Sequence, residues 1–489
     1  MKMKKTITLL LLAAMLLTTA ACGNGETDKE TESAQAETTT GMAGTTETET
    51  EPARTHNVPA LRFDGAGFLI AYPDWQGYPH YFFADEETGD AMNDAIWTRT
   101  VRVEEALSVD IDEENCGSIT DVSSKVRQTV AAGEDAYQLA LLHCIYGVTE
   151  MLTGGGYLYD FRDLPYVDTA ADWWNQRMME VLSVNGHDYF GISDYMIPCP
   201  YAIYFNRDMI EKNNMDDPYT LVYEGAWTVD KMISMAESAL RDVNGDGVMD
   251  ENDVWGMSAN EISKYVAFQY GADQFLTGRG ENGSVTLVQN TEKMLSLVEK
   301  LQSYVTQNGA VYTPKTDEYT LVDPLLMNGH LLFLLSPISH AVAFRESEAA
   351  IGILPYPKFD EAQADYVSLD WGGLMGVPKS IGDPEMVGAV VELLAFESAD
   401  TVIPAYYDVL LAGKIARDKD TVAMMDILFD TIAYDVGMNY FGASGPMSDL
   451  FYTLGRLVFT QKSADYASWY AKNESGALKA IDKFYAEVE

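Results

Sequence analysis

The segment that most limits the fold lies between residues 68 and 142, where apolar residues alternate between two spacings. Phe68-Leu69-Ile70-Ala71-Tyr72 is an unbroken apolar run that stops at Pro73-Asp74-Trp75-Gln76-Gly77, as a buried strand entering a loop does. Ile96, Thr100, Val103 and Leu107 then recur at helical spacing, with Asn93 or Asp94 placed to cap the helix. Val109 to Ile111 reads as the next strand. Val122, Val126 and Val130 form a second helical stripe, closed by Gly133, and Asp135 to Leu142 reads as a third, buried strand. Strand, helix, strand, helix, strand over about 75 residues is α/β patterning around a mostly parallel sheet.

The same texture returns downstream. Tyr201 to Asn206 is strand-like, and Thr228 is placed to cap a helix from Val229 to Arg241. Thr291 caps a helix to about Val305, with Leu295, Leu297, Val298 and Leu301 on its apolar side. His330 to Leu335 and Ile351 to Leu354 read as strands, Pro384 opens a helix to about Glu397, and Thr421 starts another. No repeat of solenoid length is present. A chain of 489 residues holds two or three domains or one large two-lobed body. Its 75 Asp and Glu outweigh 32 Lys and Arg, for a net charge of −43. That field repels phosphate backbones, which excludes a nucleic-acid partner, and it repels anionic lipid. Any membrane attachment must therefore be hydrophobic or covalent. The 4 cysteines are too few for a disulfide scaffold and form no C-x-x-C pair.

Lys2, Lys4 and Lys5 precede an apolar run from Ile7 to Leu17 and then small residues, the layout of a secretory signal. The run falls short of the about 20 apolar residues of a membrane span. Leu16-Leu17-Thr18-Thr19-Ala20-Ala21-Cys22 resembles a bacterial lipobox, with Thr19 where Leu, Val or Ile is usual. The resemblance implies removal of residues 1–21 and lipidation of Cys22, anchoring the chain at the extracytoplasmic face of the cell membrane. The other reading is cleavage after Ala20 or Ala21 and free secretion. Gly23 to Pro52 carries no aromatic residue and is rich in Gly, Thr, Glu, Ser and Ala, a solvated spacer. Residues 22–58 thus read as a tether, reaching roughly 30 Å.

Six further segments carry a family resemblance. They are Thr88-Gly89-Asp90-Ala91-Met92-Asn93-Asp94-Ala95-Ile96, Asp172-Trp173-Trp174-Asn175 and Tyr204-Phe205-Asn206-Arg207-Asp208. Gly225-Ala226-Trp227-Thr228, Gly352-Ile353-Leu354-Pro355-Tyr356-Pro357 and Gly373-Leu374-Met375-Gly376-Val377-Pro378-Lys379 follow. In this order, behind the lipobox, the chain resembles the extracellular solute-binding proteins of bacterial ABC importers, of the maltose-binding type. The resemblance implies a monomeric periplasmic-binding-protein type II fold of two α/β lobes joined by a multi-crossing hinge. Lobe one would be 59–198 plus 366–405, and lobe two 199–365 plus 406–489. The first crossing would fall at Tyr204 to Arg207 and the return at Tyr366 to Lys379. Ligand would lie between the lobes, at the carboxyl ends of strands, with closure about the hinge.

Two local signals bear on ligands. Asp242-Val243-Asn244-Gly245-Asp246-Gly247-Val248-Met249-Asp250-Glu251-Asn252-Asp253 matches a calcium loop of EF-hand type. Asp242, Asn244, Asp246, Asp250 and Asp253 would give side-chain oxygens and Val248 its carbonyl, with Asp253 standing where a longer Glu is usual. A plain acidic turn is the competing reading; if calcium binds, its role is structural. The second signal is an excess of polar aromatics, 29 Tyr and 8 Trp against 18 Phe. Flat rings stack on sugar faces while their OH and NH groups bond at the rim. Trp75, Trp371, Tyr406 and Tyr407, in loops after strands, are the candidate platforms. Asp74 and Asp194 are candidate acceptors of sugar hydroxyls. Trp371, beside Gly372-Gly373, is the strongest; Trp173, Trp174 and Trp227 read as structural.

Other motifs fall away. Gly278-Arg279-Gly280-Glu281-Asn282-Gly283 precedes a strand, not a helix, and is a hairpin turn. Gly442-Ala443-Ser444-Gly445 is no nucleophile elbow, and the 6 histidines show no metal spacing. Cys144 reads as a small buried residue. The sequence expectation is a non-catalytic lipoprotein that captures a carbohydrate and delivers it to ABC permease transmembrane subunits. The competing readings are a surface glycoside hydrolase and a carbohydrate sensor or adhesin without transport.

Overall fold

A computed structural model describes residues 54–75, 82–259, 261–280, 283–307, 311–314, 319–410 and 419–488. The signal, Cys22 and the tether as far as residue 53 lie outside the described residues, as do Gln76, Gly77, Glu281 and Asn282.

The first pass of the chain builds β1 (Ala66–Tyr72), α1 (Ala91–Leu107), β2 (Val109–Asn115), α2 (Asp121–Ala132), β3 (Leu139–His143) and α3 (Gln176–Leu182). Asp90 caps α1 by accepting the N–H groups of Met92 and Asn93, so the helix starts earlier than a cap at Asn93 or Asp94 would allow. The Asp94 carboxylate instead folds back onto the N–H groups of Thr88 and Gly89. Gly133 ends α2 with φ 72°, a left-handed cap that a side chain would disfavour.

The second pass gives β4 (Tyr201–Asn206), α4 (Val229–Ala239), β5 (Trp255–Ala259), β6 (Thr277–Arg279), β7 (Val285–Leu287), α5 (Glu292–Gln307), β8 (Val311–Tyr312), β9 (Leu331–Pro337) and β10 (Ile351–Leu354). Thr228 and Thr291 cap α4 and α5 through their hydroxyls, as their placement predicts. The β6–β7 pair is antiparallel, which confirms the hairpin. The chain then runs through β11 (Ser368–Leu369), β12 (Gly373–Gly376), α6 (Pro384–Asp400), α7 (Val402–Leu410), α8 (Lys419–Asp430) and β13 (Ile432–Ala433). It ends on α9 (Val436–Phe441) and α10 (Tyr466–Glu487).

Among the described residues these strands form two separate open sheets and two two-stranded pairs, β6-β7 and β11-β13. One has four strands in the order β12-β3-β1-β2, with β1 parallel to β2 and β3, and β12 antiparallel at the edge. The other has five, β10-β4-β9-β5-β8, mixed in direction. The strands β3, β4, β9 and β10 are buried along their whole length, as strands covered on both faces must be. Each sheet with its helices is one lobe. Helix α6 packs on α1 in lobe one; α5 joins lobe two through Lys300, which pairs with Asp230 of α4.

The tryptophans read as structural are so placed. Trp227 is fully buried and donates to the Pro355 carbonyl at 2.9 Å. Trp173 and Trp174 both donate to the buried Glu392 of α6, at 3.0 and 2.9 Å.

Three chain segments meet between the lobes. β11 pairs in parallel with β13, and Pro200 bridges Asp370 in antiparallel fashion. Trp371 N–H donates to the Cys199 carbonyl at 3.1 Å, and Ser368 N–H to that of Thr431 at 3.0 Å. The first crossing therefore lies at Pro198 to Tyr201. Tyr204 to Arg207, the segment expected to cross, already belongs to the lobe-two sheet and the turn after it, because Tyr204 pairs with Leu334 on one side and Ile353 on the other.

Candidate functional site

The site is built where β3 ends, where the hinge begins and where the helices after β13 return. His143 closes β3 and sits among aromatic rings: Trp75 at 4.2 Å, Tyr146 at 4.9 Å and Trp371 at 5.5 Å between centroids. Trp371 continues the set, with Tyr201 at 5.6 Å and Phe451 at 6.3 Å, the latter stacked nearly parallel at 2°. Tyr452 packs edge-on against Phe451 at 4.6 Å and its hydroxyl engages that of Tyr146. The rings come from both lobes and the hinge: His143 and Tyr146 from the end of β3, Tyr201 from the start of β4, Trp371 from the return, and Phe451 and Tyr452 from the last helices.

Chain position explains the convergence. In an open α/β sheet the carboxyl ends of parallel strands face the crevice, so the loops after β1 and β3 deliver Trp75 and Tyr146 there. Gly372 must lack a side chain, since a Cβ would stand 2.9 Å from the Asp370 carboxylate.

The electrostatics are muted. Burial pushes the His143 imidazole down to about 3, so it is neutral at physiological pH. Its Nδ1 accepts the Ile145 N–H at 3.0 Å, which leaves its proton on Nε2. Burial pushes Asp370 up to about 6, opposed by the N–H groups of Cys199, Gly372 and Trp371. Buried Lys264 lies 5.7 Å from the centre of the Tyr201 ring and pairs with Glu261. His143, Tyr201, Trp371, Phe451 and Tyr452 are buried against one another, and Trp75 and Tyr146 are half-buried; rings with hydrogen-bonding edges are the chemistry that suits a neutral polyol.

The sequence candidates divide into two groups. Trp75 and Trp371 belong to the ring set, and exposed Asp74 precedes Trp75, its N–H donating to the Gly117 carbonyl. Asp194, Tyr406 and Tyr407 gather elsewhere, around Pro198 and Phe429. Tyr406 is buried, donates to the Pro198 carbonyl at 3.4 Å and rings against Phe429. Tyr407 lies 5.1 Å from Phe429, and its hydroxyl is pushed up to about 12 by burial, then by Asp426, Asp430 and Asp194. Both tyrosines stand on α7, not in a loop after a strand: Pro404 falls in the first turn of that helix, where its missing N–H costs nothing. Sequence reading missed His143, Tyr146, Tyr201, Phe451 and Tyr452. The position of His143 and Tyr146 after a recognisable strand was a usable signal; nothing local marked Phe451 or Tyr452.

The calcium-type loop folds on itself. Asp242 accepts the N–H groups of Gly245 and Gly247 at 2.7 and 2.9 Å, and Asp246 that of Val248 at 2.7 Å. Asn244 accepts from Asp246, and buried Asp253 from Val243 and Asp250, both at 2.9 Å. Asp250 accepts the N–H of Asn252. Among the described residues no group of three or more His, Cys, Asp or Glu is gathered as metal donors.

Comparison with known proteins speaks to the fold. No protein-family model matches the sequence. No curated protein matches it significantly. Solved structures do match. The galacto-N-biose/lacto-N-biose I-binding protein of a Bifidobacterium longum ABC transporter, in complex with lacto-N-biose, aligns over 86% of this chain and 98% of its own, with TM-score 0.60 and 14% identity. A maltose/maltodextrin-binding domain from Bdellovibrio bacteriovorus bound to maltotriose aligns over 85% and 100%, with TM-score 0.56 and 13% identity. An ABC substrate-binding protein from Listeria monocytogenes in complex with cycloalternan aligns over 86% and 100%, with TM-score 0.54 and 15% identity. The chain has the two-lobed α/β periplasmic-binding-protein type II fold.

Proposed function

We propose that this chain is the solute-binding component of an ABC importer, capturing a carbohydrate between its lobes and delivering it to permease transmembrane subunits. The ring set of Trp75, His143, Tyr146, Tyr201, Trp371, Phe451 and Tyr452 carries this reading, because it joins both lobes beside the hinge. The solved structures of the same fold hold cycloalternan, lacto-N-biose and maltotriose, which favours an oligosaccharide. Thermal-shift screening of the full chain against a sugar and peptide library tests it, since a ligand bound only by the folded state raises the apparent Tm. A panel in which peptides shift the Tm and sugars do not would overturn the carbohydrate assignment.

The competing glycoside-hydrolase reading needs a free carboxyl pair. Two carboxylates by the rings are engaged: Asp370 accepts backbone N–H groups and Glu261 pairs with Lys264. Turnover of a glycan by the purified protein would establish that reading instead. Among the described residues no helix is long and apolar enough to cross a membrane. Lipid at Cys22 would supply the attachment, because a diacylglyceryl cysteine carries two chains where one anchors only marginally. Loss of detergent-phase partitioning in Cys22→Ala tests the anchor.

A further inference from the structure

Among the described residues, side-chain hydrogen bonds besides the ring contacts also join the lobes. Arg279, exposed on β6 of lobe two, donates to the Val181 and Ser183 carbonyls at 2.8 and 2.6 Å. These carbonyls end α3, which is held in lobe one: its cap Asn175 donates to the Ile192 carbonyl, and neighbouring Gly191 pairs with Met375 of β12. Tyr440 of α9 donates to the Leu182 carbonyl, and Thr149 to that of Tyr440. Asn439 donates to the Cys144 carbonyl at 3.0 Å, and Asn185 to that of Val488. Helix α9 moves with β6, because buried Asp435 accepts from Leu276 N–H and Thr277 hydroxyl at 2.7 and 2.5 Å.

We propose that Arg279 is an affinity-setting residue for the solute that acts without touching it, by clasping the C-terminus of α3 only when the lobes are closed. The inference rests on the solute-binding reading. A helix C-terminus presents unpaired carbonyls and a partial negative charge, and a guanidinium satisfies both. Opening the lobes separates Arg279 from α3 and returns each to water. Apparent affinity scales with the fraction of molecules in the binding-competent state, so any bond made only on closure tightens every solute by one factor.

The test uses the full chain and Arg279→Gln. Without solute, hydrogen exchange should quicken in peptides covering 371–374, which line the cleft but lie outside the clasp. Titration with maltotriose and with lacto-N-biose should show weaker binding by the same factor, about three- to tenfold. Arg279→Lys, which keeps the charge, should recover part of it. Unchanged exchange in the cleft peptides overturns the proposal, and so does a factor that differs between the two sugars, which would mark a direct contact. If wild type binds no sugar, the function reading fails while the exchange comparison still decides the clasp.

Discussion

Asp370 accepts the backbone N–H of Cys199 at 2.8 Å through the same oxygen that accepts the N–H of Gly372 at 3.0 Å. One buried carboxylate thus ties the outgoing and returning crossings together. Its pKa of about 6, raised by burial, has a stability consequence. The unfolded carboxyl releases its proton near pH 3.9, so between about pH 4 and 6 the folded state holds the extra proton. Stability from this group is present below that window and falls as pH rises through it, by up to about 3 kcal/mol. Asp370→Asn should gain on wild type across the same window in urea unfolding; a difference flat with pH contradicts the assignment.

His143 works with the opposite sign. Its folded pKa near 3 lies below the about 6.5 of an unfolded histidine. The unfolded state therefore takes up the proton first, and stability is lost as pH falls from about 6.5 toward 3. The two groups offset each other through mild acid. Asp370→Asn should expose a steeper acid loss than wild type shows, and His143→Asn should remove that slope, both read from Tm against pH.

Glu392 accepts both neighbouring indoles and the Asp168 N–H while fully buried. Glu392→Ala leaves three donors without a partner inside lobe one, a cost of about 3 kcal/mol or more. Glu392→Gln, which keeps one acceptor oxygen, should fall between alanine and wild type in chemical denaturation.

For solute binding, Trp371→Ala and Trp75→Ala should each weaken sugar affinity by about tenfold or more, as loss of a stacking ring does. Tyr407→Phe, on the far side of Pro198, should leave it within about twofold. Isothermal titration with maltotriose compares them, and equal losses at Trp371 and Tyr407 would refute the division of the two groups.

The loop from Asp242 to Asp253 carries the oxygen donors of a hard-cation site, and we propose calcium as its occupant. Millimolar calcium should then raise the Tm of wild type and leave that of Asp246→Asn unmoved. Equal responses would leave the loop as the acidic turn that its internal hydrogen bonds already close.

Legibility followed distance along the chain. Strands β1 and β3, the caps Thr228 and Thr291 and the β6–β7 turn all announce themselves within a few residues, because capping and alternation are local physics. The start of α1 did not, since three acidic or amide residues compete there and only packing decides that Asp90 caps. Tyr204 to Arg207 mimicked a crossing because a strand buried on both faces and a linker between lobes share one apolar signature. The ring set was half visible. Trp75 and Trp371 flank turns, whereas Phe451 and Tyr452 reach the site from a helical segment some eighty positions beyond Trp371, a closure no short-range pattern encodes.

The antiparallel edge strand β12 has a consequence for synthesis. Its partner β3 ends at His143, yet β12 begins only at Gly373. On the ribosome, all five strands of the lobe-two sheet emerge before the lobe-one sheet can gain its edge. The sheet that is started first is finished last, and until then β3 offers an open side that a stray strand could pair. The burst of lobe-two sequence between them acts as a delay built into the order of translation.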